Sequence, residues 1–204
     1  VSKAEFAPVE PAPDATDLVF IGEFRPVKGI DILIDAIAEL HRRKIAVTAT
    51  LVGGGPDEAI LRAQVEKLSL QKAVRFGPVM PARRALALGK MMVIPSRAES
   101  LPYVVLETAA CGMPLITTRV GGIPEIYGPL TITLVPAGNV AALADAIAQA
   151  IENPKEAAEI AQELRVRVAT SFSVDTMVEG VLSAYRQALG EPAMMAATTL
   201  APKQ

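Results

Sequence analysis

The sequence has no tryptophan, and it contains only one cysteine and one histidine among its 204 residues. A single cysteine cannot form an intrachain disulfide, which fits a reducing compartment, so we expect a cytoplasmic protein. Aromatic residues make up 4% of the chain, and the formal net charge is −2. With no basic strip to follow phosphates and few aromatic rings to stack on bases, the composition argues against a nucleic-acid partner.

Long hydrophobic runs and clusters of metal ligands are also lacking. The longest candidate for a membrane span, Leu101–Thr118, is interrupted by Glu107, Gly112 and two prolines, so no stretch reaches the roughly 18 apolar residues that a spanning helix needs. His41 stands beside two arginines near the end of a predicted helix, where a cation suits the helix dipole, and we interpret it as structural. The sequence therefore argues against a Ser-His-Asp catalytic set and against a tightly bound metal.

What the sequence does contain is an alternation of short β-rich runs with amphipathic helical segments. This alternation is typical of an α/β fold, a Rossmann-like doubly wound parallel sheet of about six strands, in which ligands bind at the carboxyl ends of the strands. Strands are predicted near Leu18–Gly22, Ala46–Val52, Val74–Phe76, Met91–Pro95, Leu115–Thr118 and Ile132–Leu134. Helices are predicted near Asp31–Arg43, Glu58–Leu68, Ala82–Leu88, Val104–Cys111, Val140–Glu152, Ala157–Thr170 and from Val174 to about Leu189.

The segment from Glu99 to Gly112 combines two carboxylates with a predicted helix start. Pro102 disfavours helix at the residue before it, so the helix should begin just after the proline and place Glu107 about one turn inside. The backbone amides of the first turn, at Tyr103 and Val104, lack intrahelical partners and favour an anion such as a diphosphate. The carboxylates offer acceptors for sugar hydroxyls, which suggests a nucleotide sugar. From the spacing alone, two ordinary solvated glutamates explain the pattern equally well.

Four motifs in order resemble those of the retaining glycosyltransferases of the GT-B fold, specifically family 4 (glycosyl transferases group 1). They are the strand and Lys-Gly loop Phe20–Gly29, the turn Leu51–Pro56, the segment from Pro95 through Glu107 to Pro114, and Gly121–Glu125. The resemblance runs from about Leu18 to Tyr185. It implies that this chain is the C-terminal, donor-binding half of a GT-B fold and that an N-terminal acceptor-binding half of the same protein is missing.

The resemblance also implies a division of the chain. Residues 1–16 would be a remnant of the interdomain linker, 17–172 the nucleotide-sugar-binding domain, 173–190 a helix crossing to the other half, and 191–204 a flexible tail. Apolar residues at helical spacing between 174 and 189 would then lack their partner, which predicts self-association. Contact with a membrane is not indicated here and would use the missing half, at the inner membrane.

The same resemblance assigns roles to particular residues. Lys28 and Arg25 would hold the diphosphate, and Glu99 would orient the hydroxyls of the donor sugar. Glu107 would bind the ribose, and a segment that includes Val79 would contact the base. The remaining donor-binding positions are Gly22, Gly54, Ser100, Leu101, Tyr103 and Val104. No cofactor is expected, and no obligatory metal, because the helix N-terminus and the Arg/Lys pair would take the place of a cation.

In two places the sequence departs from the family pattern. Glu23 stands where the family usually has arginine, and Arg25 follows at strand spacing, so both side chains should point to the same side and Arg25 could supply the displaced charge. Pro102 stands at a position that is commonly glycine and has no N–H to donate, which removes one backbone contact. Ser100 likewise replaces a glycine, and Leu101 a phenylalanine. We interpret these changes as the signature of a subfamily.

Two other classes of function remain alternatives. A sugar-nucleotide epimerase of GT-B architecture would place further acid and base residues in the cleft, and the one histidine lies far from the motifs. A non-catalytic scaffold domain that binds nucleotide sugars would tolerate the loss of Lys28, Glu99 or Glu107, yet all three are present. The nucleotide base, the sugar and the acceptor are not decided by the sequence.

Overall fold

The computed structural model describes residues 1–189, and the predicted tail falls outside these residues. Five strands form one sheet: β1 (Thr16–Glu23), β2 (Ala49–Gly54), β3 (Val74–Gly77), β4 (Gly89–Ile94) and β5 (Leu115–Thr117). The α-helices are α1 (Ile30–Arg42), α2 (Glu58–Lys67), α3 (Ala82–Leu86), α4 (Tyr103–Ala110), α5 (Ile123–Tyr127), α6 (Val140–Glu152), α7 (Pro154–Ser171) and α8 (Val174–Ala188). Short 3₁₀ turns lie at Lys3–Phe6, Pro26–Lys28 and Gly128–Thr133.

All pairings in the sheet are parallel, and the strand order is β3-β2-β1-β4-β5. The order reverses at β1, whose neighbours β2 and β4 belong to the two halves of the fold. Phe20 pairs with Leu51 on one side of β1, and Leu18 pairs with Met91 on the other. The predicted α/β class and doubly wound parallel sheet are therefore confirmed.

Helices cover both faces of the sheet, because successive strand residues point to opposite faces and both faces are apolar. Phe20 and Leu51 face a layer that contains α1, whose residues Leu33, Ile37 and Leu40 are fully buried. On the opposite face, alternate strand residues pack with α4 and α7. The core thus holds the carboxyl ends of the strands in fixed relative positions.

The predicted sixth strand at Ile132–Leu134 was wrong. A 3₁₀ turn occupies Gly128–Thr133, and only one isolated parallel bridge, Thr118 to Val135, continues the sheet on this side. The turn begins at Gly128, which has φ of 55°, and proceeds through Pro129, whose fixed φ suits a helical turn and whose missing N–H weakens a strand. The short helix α5 was not predicted from the sequence, where its first residues were noted only as part of a motif.

The N-terminal residue meets the junction between α7 and α8. The Val1 ammonium donates to the Phe172 carbonyl over 2.9 Å, and the Val174 amide donates to the Val1 carbonyl over 3.0 Å. Helix α8 follows, and its apolar side chains are exposed, with Met177 62% and Tyr185 66% accessible. Self-association through this face and the domain boundaries stay predictions. Within residues 1–189, no helix is both long and apolar enough to cross a membrane.

Candidate functional site

Three of the predicted site residues come from different segments at the carboxyl edge of the sheet, around the point where the strand order reverses. Lys28 follows β1, Gly54 ends β2, and Glu99 follows β4. Because β1 lies between β2 and β4, these loops are neighbours in space although they are far apart in sequence. In open α/β sheets this reversal point is where ligands bind.

Lys28 and Glu99 form an ion pair across this point. Lys28 Nζ lies 2.7 Å from Glu99 Oε1, and the hydroxyl of the buried Ser96 donates to the same oxygen over 2.7 Å. The side chain of Glu99 is 9% exposed and that of Lys28 28%. Within residues 1–189, Oε2 of Glu99 takes part in no hydrogen bond, so this oxygen is available as an acceptor.

Two glycines allow the loops to come this close. Gly29 has φ of 67°, and a Cβ there would lie 2.1 Å from the carbonyl oxygen of Pro95. Gly121 has φ of 52°, and a Cβ there would lie 1.5 Å from the carbonyl oxygen of Glu99. The next amide, that of Gly122, donates to the Ser100 carbonyl over 2.7 Å. The backbone around Glu99 is therefore supported by the loop that follows β5.

Arg25 does not join Lys28 and Glu99. Its Nε lies 2.7 Å from Glu23 Oε1, and about half of each side chain is exposed. The two side chains do share one side, as their spacing predicted, but the guanidinium neutralises Glu23. That Arg25 binds a diphosphate stays a prediction. For this role, the phosphate would have to compete with Glu23 for the guanidinium.

The N-terminus of α4 presents unpaired donors beside the ion pair. Pro102 precedes the helix in an extended conformation and offers no side-chain cap. Among the described residues, neither the Tyr103 amide nor the Val104 amide donates to another group, and the Tyr103 side chain is 72% exposed. Unpaired amides and the helix dipole together favour an anion at this end of α4. Leu101, 41% exposed, and the exposed Ser100 lie on the same loop.

Glu107 lies one turn further along α4 and faces a different neighbour. Within residues 1–189, no hydrogen bond or ion pair joins it to Glu99 or Lys28. Burial raises the pKa of its carboxyl, the nearby charge of Glu5 raises the pKa further, and the Val1 ammonium lowers it. The structure therefore brings Lys28 and Glu99 together but places Glu107 against the N-terminal segment.

Three consecutive glycines, Gly53 to Gly55, lie at the carboxyl end of β2 and just beyond it. A Cβ at Gly53 would lie 1.9 Å from the Gly22 carbonyl oxygen, and one at Gly55 would lie 2.5 Å from that of Phe24. The group that approaches these two glycines is the protein's own backbone. Gly54 is different, because a Cβ there would meet only Val79, at 3.8 Å. Val79 is 78% exposed, so this corner has room for a ligand.

Three residues that the sequence did not single out shape the site. Ser96 holds Glu99, and the Arg97 guanidinium binds the Asp31 carboxylate of α1 through contacts of 2.8 and 2.6 Å. Ser96 lies two residues after β4, inside the motif that begins at Pro95, and this position was the available signal. Arg97 and Asp31 are 66 positions apart, and no local pattern connects them.

Two further features lie elsewhere. A groove of about 620 Å³ opens at the amino ends of β4 and β5, lined by apolar residues such as Leu115, Leu134, Ala146 and Leu164. It is remote from Lys28 and Glu99 along the strands. Within the described part of the chain, no group of three or more His, Cys, Asp or Glu side chains is arranged to hold a metal ion.

Comparison with known proteins matches residues 2–167 to the family described as Glycosyl transferases group 1. A curated relative, D-inositol 3-phosphate glycosyltransferase from Acidothermus cellulolyticus, is 32% identical over 203 residues, covering 93% of this chain and 45% of the relative. The chain thus spans about half the length of the curated relatives it matches.

Solved structures with the same fold give a consistent result. HepE from Anabaena, crystallised with UDP, superposes with a TM-score of 0.76 at 25% identity, over 85% of this chain and 49% of that one. The C-terminal domain of a group 1 glycosyl transferase, LpcC from Francisella tularensis, superposes with a TM-score of 0.72 at 22% identity. That match covers 85% of this chain and 99% of the domain, so the two share one fold over nearly the whole domain.

Proposed function

The chain belongs to the group 1 glycosyl transferases, and on that premise we propose that it is the donor-binding half of a retaining, family 4 glycosyltransferase. The donor is a nucleoside diphosphate sugar, and the acceptor binds to an N-terminal half outside this sequence. In the reaction, the bond from the anomeric carbon to the diphosphate breaks, and a bond to an acceptor oxygen forms with the same anomeric configuration. We place this activity in the cytoplasm.

The observation that carries the proposal is the apposition of Lys28 and Glu99 beside the unpaired amides of α4. The Lys28 ammonium and the amides of Tyr103 and Val104 offer positive potential to a diphosphate, whose charge grows as the sugar leaves. Such preorganised donors are worth several kcal/mol when they face developing charge, about 2.7–4 kcal/mol for one donor in a well-studied case. The free Oε2 of Glu99 would accept from a hydroxyl of the donor sugar.

The nucleoside would lie further along the carboxyl edge. Glu107 lies near the N-terminal segment, but no hydrogen bond or ion pair within residues 1–189 uses its carboxylate. We therefore assign this carboxylate to the ribose hydroxyls, because an ionised carboxylate accepts from two hydroxyls at once. The corner between Gly22, Gly54 and Val79 would receive the base, since Val79 is exposed and a Cβ at Gly54 would meet nothing else. The UDP complex of HepE supports a nucleotide in this class of domain. A metal is not needed in this scheme, because protein cations and amides face the phosphates.

Neither alternative gains support from the site. An epimerase needs acid and base groups near the sugar, and the His41 ring instead hydrogen-bonds the Val47 backbone at the opposite edge of the sheet. A scaffold domain has no use for a lysine held over a nearly buried carboxylate, whose desolvation costs free energy.

Calorimetric titration of this chain with UDP, GDP and ADP tests the proposal. We expect one nucleotide to bind more tightly than the other two and to lose most of its affinity in Glu107→Ala. The matched control is Glu159→Ala, an exposed helical glutamate on α7, which should bind like the unchanged protein. Failure of all three nucleotides to bind, or equal loss in both variants, would contradict the proposal.

A further inference from the structure

Arg97 forms four hydrogen bonds with the loop after β1 and the start of α1. Its guanidinium forms two parallel bonds with the Asp31 carboxylate, 2.8 and 2.6 Å long, and also donates to the Pro26 carbonyl over 2.5 Å. Its backbone amide donates to the Val27 carbonyl over 2.7 Å. Arg97 therefore holds three residues that flank Lys28: two come before it and one comes after it.

The pairing of Arg97 with Asp31 is stronger than an ordinary surface ion pair. Burial alone would raise the pKa of the Asp31 carboxyl, but hydrogen bonds and charge from Arg97 outweigh burial and hold this pKa below its ordinary value. The two-pronged geometry is specific to arginine, whose planar fork matches a carboxylate. About 40% of each side chain is exposed, so salt screens the pair only in part.

The position of this contact links it to the site. Lys28 directly follows Val27, and Glu99 lies two residues after Arg97. A shift of the loop after β4 relative to the start of α1 would therefore separate Lys28 Nζ from Glu99 Oε1. Gly29, packed against the Pro95 carbonyl, is a second contact between the same two loops, but it supplies no directional bond.

We propose that Arg97 and Asp31 are positioning residues that hold Lys28 against Glu99 and so preorganise the phosphate end of the donor site. Their proposed role is to act through the ion pair rather than by contact with the nucleotide or the sugar. The consequence for the donor rests on the proposed function. The consequence for Lys28 does not, because it concerns only the protein's own side chains.

The test measures Lys28 directly. Trace acetylation with acetic anhydride, followed by peptide mass spectrometry, gives the acetylation rate of Lys28 relative to that of the exposed Lys72. The Glu99→Gln variant gives the Lys28 rate in the absence of the ion pair. We expect Arg97→Ala and Asp31→Asn to raise the Lys28 rate about fivefold, toward that of Glu99→Gln. Arg97→Lys keeps the charge but loses the two-pronged guanidinium. Its Lys28 acetylation rate should lie between the rates of these variants and that of the unchanged protein. UDP affinity should drop by about tenfold in Arg97→Ala.

Arg43→Ala is the matched control, since Arg43 pairs with Asp145 over 2.5 Å at the other end of α1. It should leave both the Lys28 rate and UDP affinity unchanged. The proposal is overturned if Arg97→Ala and Asp31→Asn keep the wild-type Lys28 rate, or if Arg43→Ala raises it equally. Should Arg97→Ala not fold, Asp31→Asn decides, because it removes only a charge. If the unchanged chain binds no UDP, the acetylation rates still decide this inference, and the failure belongs to the proposed function.

Discussion

The ammonium of Lys28 and the carboxylate of Glu99 lie 2.7 Å apart, although 71 positions separate them in the chain. The pair joins the loops after β1 and β4, the two strands between which the sheet reverses its order. The Oε1 atom of Glu99 also accepts a hydrogen bond from the Ser96 hydroxyl, so the orientation of Glu99 is fixed before any ligand binds.

Because Glu99 is nearly buried, its pairing with Lys28 should contribute measurably to stability. Replacing Lys28 by Met leaves a desolvated carboxylate and should cost about 1–3 kcal/mol of unfolding free energy. A double-mutant cycle with Glu99→Gln should give a coupling of about 1–2 kcal/mol by urea denaturation. The exposed pair Arg62–Glu58 is the control and should give at most about 0.5 kcal/mol. Equal coupling in the two cycles would show that Lys28 and Glu99 are not held together.

Gly121 supports the backbone of Glu99, and a side chain there should be poorly tolerated. Gly121→Ala combines a left-handed φ with a Cβ 1.5 Å from the Glu99 carbonyl oxygen, and it should lower stability by about 3 kcal/mol or more. Gly138→Ala has φ of 73° but open space around the new Cβ, so it should cost only the conformational term of about 1–2 kcal/mol. Chemical denaturation of both variants measures the difference, and similar losses would mean that the close contact at Gly121 is relieved without strain.

The raised pKa of Glu107 predicts an unusual dependence of folding stability on pH. Its pKa is raised in the folded protein, mainly by burial and then by Glu5, so the ionised form opposes folding. This unfavourable contribution is fully present above the folded pKa and disappears as the pH falls below the ordinary glutamate value. Glu107→Gln should therefore be more stable than the unchanged protein at pH 7 and no more stable at strongly acidic pH. Thermal unfolding of both proteins across this pH range measures the sign of the stability difference. A Glu107→Gln variant that is less stable than the unchanged protein at pH 7 would contradict the prediction.

Glu5→Gln isolates the second cause of that shift. Removing the charge of Glu5 should lower the Glu107 pKa toward its ordinary value, observable by carbon NMR of the carboxyl group during a pH titration. Glu10→Gln, an exposed change in the same segment, is the control. An unchanged Glu107 titration in Glu5→Gln would mean that burial alone causes the shift.

On the proposed function, this chain by itself should transfer sugar negligibly, because the acceptor and some catalytic groups would come from an N-terminal half. Release of nucleotide from UDP-glucose, GDP-mannose and ADP-glucose should stay at background. Any release must be compared with Lys28→Ala, which separates activity of this chain from that of a contaminant. Turnover that depends on Lys28 would show that the described domain is sufficient for the reaction.

Much of this architecture follows from the sequence alone. Parallel strands that are buried on both faces read as short apolar runs, and α1 shows its inward face at helical spacing, so the fold class and most of the helices were predictable. The run Ile132–Leu134 was misread as a strand because a short apolar run next to a proline is ambiguous between strand and turn. Only Leu134 in that run is buried.

The site was predictable in part. Lys28, Glu99 and Glu107 stand out through motifs, yet only the tertiary structure shows that the first two touch while Glu107 faces Glu5. The pairing of Arg97 with Asp31 depends on how α1 packs beside β4, and no local pattern encodes it. Gly53 and Gly55 show the same limit, since their close neighbours are the backbones of Gly22 and Phe24.

Amide chemical-shift mapping shows whether a nucleotide binds at the carboxyl edge of the sheet. The ¹⁵N-labelled chain would be titrated with whichever of UDP, GDP and ADP binds most tightly. We predict that the largest shifts fall at Gly22, Lys28, Gly54, Tyr103 and Val104. Shifts concentrated instead around the groove near Leu115 and Ala146, or none with any nucleotide, would contradict a nucleotide site at this edge.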